Sequence, residues 1–189
     1  MITPFVWGYR VLPKSIFFPV SILSVCLVFL FLEYQHKKRL LNLVPAALKV
    51  DNILYSASSP AGIGPGSEMS SIIIYELPRE ISATIETEGF GFFVRMSNAR
   101  KRYVDKNRRR LQGWQKTPLI PDEKQWRVRR PGELRIEYAI PYYSSKIDPK
   151  FAGIANKIIN SEGSYYTYSN YETVIVSPKY HLVIYTWTN

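Results

Sequence analysis

Residues Ile16 to Leu32, IFFPVSILSVCLVFLFL, carry no charge, and Ser21 and Ser24 are their only polar side chains. As a helix this run would reach roughly 25 Å at 1.5 Å per residue, slightly less than a ~30 Å hydrocarbon core. Extension back to Val11 adds length and takes in Lys14, whose stem can snorkel to the headgroups. Trp7, Tyr9 and Tyr34 stand where interfacial aromatics belong. Pro19 either kinks the run or marks the first turn of the true helix. A buried core helix would show a polar stripe, and this run is apolar all round. A cleaved signal peptide needs small residues after the apolar run, but Glu33-Tyr34-Gln35-His36-Lys37-Lys38-Arg39 follow. The sequence therefore predicts a signal anchor: an N-terminal tail over 1–15 and a single transmembrane helix over 16–32.

Orientation has two opposed indicators. Lys37, Lys38, Arg39 and Lys49 outnumber Arg10 and Lys14, which favours a cytoplasmic C-terminal side. A short tail, one span and a large following domain is instead the layout of an anchor that exports its domain, and long domains translocate largely regardless of charge. The layout is preferred, so the expected location is a membrane, with the soluble domain extracytoplasmic (periplasmic in a bacterium). The only cysteine, Cys26, falls inside the run, so no intramolecular disulfide can form and a disulfide-stapled scaffold is excluded.

Residues 33–69 read as a juxtamembrane segment and a flexible Gly/Pro/Ser loop. Leu40, Leu41, Leu43, Val44, Ala47 and Leu48 fit one helical face behind a basic head, interrupted by Pro45. That face either lies on a membrane or packs on the domain. The stretch SASSPAGIGPGS from Ser56 to Ser67 fails as a phosphate cradle, because Glu68 follows where a phosphate loop needs Lys and a hydroxyl. It reads as a hinge.

The globular domain is expected over 70–189. Ser71 to Tyr75 is a β-branched strand, and Pro78 starts a helix with Ile81 and Ile85 inward that Gly89 ends. Phe90 to Met96 reads as a strand in preference to the alternative, a helix that resumes after Gly91. A helix is expected around Asn98 to Gln112, followed by an irregular excursion. Leu134, Ile136, Tyr138 and Ile140 alternate with Arg135, Glu137 and Ala139, which predicts a half-buried strand over Glu133 to Ile140. Asp148-Pro149 caps a helix with Phe151, Ile154, Ala155 and Ile158 on one face and Gly163 past its end. Strands over Ser164 to Ser169, Thr173 to Val176 and Tyr180 to Thr188 have short connections, so they form an antiparallel meander. Both alternating sets of the last strand are largely apolar, so both of its faces should be covered. The fold class is α+β: a mainly antiparallel sheet, about two packed helices and a C-terminal three-strand meander.

Charge is the functional signal. The excursion from Arg95 to Arg135 holds fourteen Lys or Arg against four Asp or Glu, which equals the surplus of +10 of the whole chain. The rest of the chain is neutral. The candidate binding surface is Arg100, Lys101, Arg102, Arg108, Arg109, Arg110, Arg127, Arg129 and Arg130, with Trp114 and Trp126 interleaved. Arginine suits bidentate contact with carboxylate or phosphate and stacking on rings.

No catalytic residue, metal ligand or cofactor stands out. His36 and His181 are far apart in sequence, and metal sites need clustered ligands. The expected function is an anchored interaction protein (an assembly factor, scaffold or inhibitor) that presents this basic surface to an acidic protein partner at the membrane. Anionic lipid headgroups are a second possible partner. Nucleic acid fits only a cytoplasmic domain and is disfavoured, because no nucleic-acid motif is present. A membrane-bound hydrolase or transferase, using dispersed carboxylates with arginine as anion clamp, is the alternative from another class.

Overall fold

The computed structural model describes residues 14–58, 70–100, 113–121, 126, 134–140, 147–169 and 172–188. The chain divides into two compact units, Met1–Leu40 and Leu41–Asn189.

The described part of the first unit is helical. Helix α1 spans Lys14–Leu41. Its apolar side chains from Ile22 to Leu32 are exposed. Among the described residues, however, no helix is long and apolar enough to cross a membrane. The apolar run of this helix ends at Leu32. Glu33, Lys37, Lys38 and Arg39 then follow in the same helix. The single-pass anchor expected over 16–32, and the membrane location that rested on it, are corrected on that finding. Trp7, Tyr9 and Arg10 lie outside the described residues.

The second unit is α+β. Its elements are β1 (Ile53–Ser58), β2 (Ser70–Glu76), α2 (Arg79–Glu88), α3 (Phe90–Arg100), β3 (Gln115–Lys116), α4 (Pro149–Asn160), β4 (Tyr165–Tyr168), β5 (Glu172–Ser177) and β6 (Leu182–Thr188). The strands form one antiparallel sheet in the order β1-β2-β6-β5-β4-β3. The β4-β5-β6 meander has the expected arrangement. His181, expected inside the last strand, belongs to the turn before β6, with φ +53°.

Strand period sorts the core into two layers. Ile72 and Ile74 of β2, Ile175 of β5, Leu182 and Ile184 of β6, and Tyr166 and Tyr168 of β4 join Ala152, Ala155, Ile158 and Ile159 of α4. The alternate residues Ile73, Tyr75, Val174, Val176, Val183 and Tyr185 are also buried, so both faces of the central strands are covered, as expected. On this second face the Phe93 ring of α3 lies 4.4 Å from the Tyr165 ring of β4, tilted by 34°.

Local chemistry explains the helix ends. Pro78 precedes α2, and Ile81, Ser82 and Ile85 form its buried stripe. Gly89 closes it at φ +58° and ψ −131°, a conformation that favours glycine. Asp148 accepts from the Lys150 N–H at 2.8 Å and Pro149 opens α4, as the sequence indicates.

Four further local expectations fail. Phe90 to Met96 lies in helix α3, because Phe92 and Phe93 are buried against the sheet while Phe90 and Val94 are exposed, a helical spacing. Glu133 to Ile140 holds a 3-10 turn at Ile136–Tyr138 in place of a strand. The amphipathic helix across Leu40 to Leu48 stops at α1's end, and Pro45 starts a separate 3-10 turn, Ala46–Leu48. Val44 and Leu48 of that stretch are buried. Finally, Ile53–Ser58 forms the edge strand β1 within the stretch read as juxtamembrane segment and loop. The hinge at 59–67 lies outside the described residues, as does most of the helix expected around Asn98 to Gln112.

Candidate functional site

The basic segment begins on α3 and ends beside α4, and buried side chains peg it between. Arg95, exposed on α3, is paired with Glu88 of α2. Arg100 is the last residue of α3. Lys101, Arg102, Arg108, Arg109, Arg110, Arg127, Arg129 and Arg130 lie outside the described residues.

The two tryptophans are placed, and both point inward. Trp114 is 8% exposed, 4.5 Å from the Phe93 ring on the α3 side of the sheet. Trp126 is 1% exposed and belongs to the core under α4. Their inclusion in an exposed binding surface is corrected: a ring buried to that degree offers no face to a partner. They act as pegs at two points along the basic segment.

Residues 113–121 form a loop held to the sheet by polar side chains. The Thr117 Oγ accepts from the Ser164 N–H at 3.1 Å, and the Thr117 N–H donates to the Ser164 carbonyl at 3.0 Å. The Leu119 N–H donates to the Ile159 carbonyl at 2.8 Å, and the Leu119 side chain is buried. The Tyr166 hydroxyl accepts from the Ile120 N–H at 3.1 Å and donates to Gln115 Oε1 at 2.6 Å. The Tyr168 hydroxyl donates to the Ile120 carbonyl at 2.5 Å. Both tyrosine rings are buried. The Ile120 side chain is nevertheless 71% exposed. Sequence reasoning missed this apex; an apolar pair, Leu119-Ile120, bracketed by Pro118 and Pro121 inside a polar stretch was the available signal.

The segment's far end is clamped to α4. Asn156 Oδ1 accepts from the Ile136 N–H at 2.6 Å, and Asn160 Oδ1 accepts from the Leu134 N–H at 3.0 Å. The Asn160 amide returns a bond to the Leu134 carbonyl at 2.6 Å. One helical turn apart on α4, the two amides satisfy a stretch of backbone that no strand pairs with among the described residues. Beside them Arg135 donates to Glu137 at 2.8 Å, and Asn156 donates to Glu137 at 3.3 Å. Burial pushes the Glu137 carboxyl up. Hydrogen bonds from Arg135, its own backbone N–H and Asn156 outweigh that and hold it below the usual carboxylate value.

One pair has the residue types of nucleophilic catalysis. Ser82 Oγ lies 2.8 Å from His181 Nδ1. Ser82 is fully buried on α2, so its oxygen cannot meet a substrate, and the bond ties α2 to the turn before β6. Among the described residues no group of three His, Cys, Asp or Glu could hold a metal ion. Comparison with family models, with curated proteins and with solved structures finds no match to this chain.

Proposed function

We propose that this chain is an interaction protein, an assembly factor, scaffold or inhibitor whose α+β domain presents a basic surface to an acidic protein partner. The observation that carries this reading is the confinement of the chain's entire positive surplus to Arg95–Arg135, a segment pegged at Trp114, Leu119, Trp126 and Leu134. Like charges clustered along one stretch of chain are the feature an acidic partner would recognise. The described arginines at the ends, Arg95 and Arg135, already have carboxylate partners, which leaves the recognition to the clusters between them.

A labelled polyglutamate peptide titrated with the full chain at rising salt tests the reading by fluorescence anisotropy. Saturable binding that weakens steadily with salt is expected, because exposed charges are screened within about 10 Å at 0.1 M. No binding at low salt would refute it. Stronger binding to anionic vesicles or to single-stranded nucleic acid than to the acidic peptide would move the assignment to another partner class.

A further inference from the structure

We draw no further inference here: the strongest candidate, the exposed apolar surface of helix α1 from Ile22 to Leu32, is an unpartnered face, and nothing in the structure shows what covers it.

Discussion

Trp126 shows how one side chain can decide between inside and outside. Its ring is 1% exposed, and among the described residues its Nε1 has no hydrogen-bond partner. A buried donor left unpaired costs about 1–3 kcal/mol, so the volume of the ring, not its N–H, is what the core uses. Trp126→Phe should therefore change stability by no more than about 1–2 kcal/mol, whereas Trp126→Ala should cost about 3–5 kcal/mol. Chemical denaturation of the two variants separates these outcomes; equal losses would mean that the N–H has a partner after all. Glu137 offers a test by pH. Its folded pKa lies below the unfolded value, so its charged form adds stability above the ordinary carboxylate range, and that contribution is lost as pH falls through the depressed folded value. Glu137→Gln should flatten this part of the acid limb in a stability–pH profile and lower stability near neutral pH. An unchanged acid limb would contradict the assignment.

The elements show which parts of the fold were legible from sequence and which were not. α4 and α2 were legible because their ends are set by local chemistry: Asp148 with Pro149, and Pro78 with Gly89. The closing meander was legible because β-branched runs and short turns dictate neighbouring antiparallel strands. The turn over Ile136–Tyr138 was not. Its alternating pattern mimics a strand, while the backbone bonds that would need a strand partner go to Asn156 and Asn160 across α4. Local pattern cannot reveal a partner 20 residues away. Asn156→Ala should expose that dependence, because the Ile136 N–H would lose its acceptor at a cost of about 1–3 kcal/mol. Asn156→Asp retains the acceptor oxygen but loses the donor to Glu137 and sets a second carboxylate beside it, so it should also destabilise near neutral pH, with the loss shrinking as pH falls. Gly89 makes the complementary point, since a Cβ there would meet nothing closer than the Tyr165 hydroxyl at 3.7 Å. Gly89→Ala should still cost about 1–3 kcal/mol through its positive φ alone. A neutral substitution would show that the α2–α3 corner can relax.

At the scale of the whole molecule, the buried hydrophobic side chains among the described residues all lie at Val44 or beyond, inside the unit Leu41–Asn189. That unit, expressed alone, should unfold in one cooperative transition with circular dichroism of a mixed α and β domain; a broad, non-cooperative melt would show that the core is incomplete without residues 1–40. The candidate surface was only partly legible. The charge surplus was plain in the sequence, but burial sorted its tryptophans away from it. The central claim is that the arginines of the basic segment serve binding while its buried pegs serve folding. Arg108, Arg109 and Arg110 changed together to Gln, with binding of the acidic peptide measured across salt beside a thermal melt, tests it most directly. Exposed ion pairs are worth about 0.2–1 kcal/mol each, so affinity should fall roughly 3- to 150-fold at low salt, its salt dependence should flatten, and the melt should stay within a few degrees of wild type. Full-strength binding by the variant, or loss of its folding transition, would contradict the account.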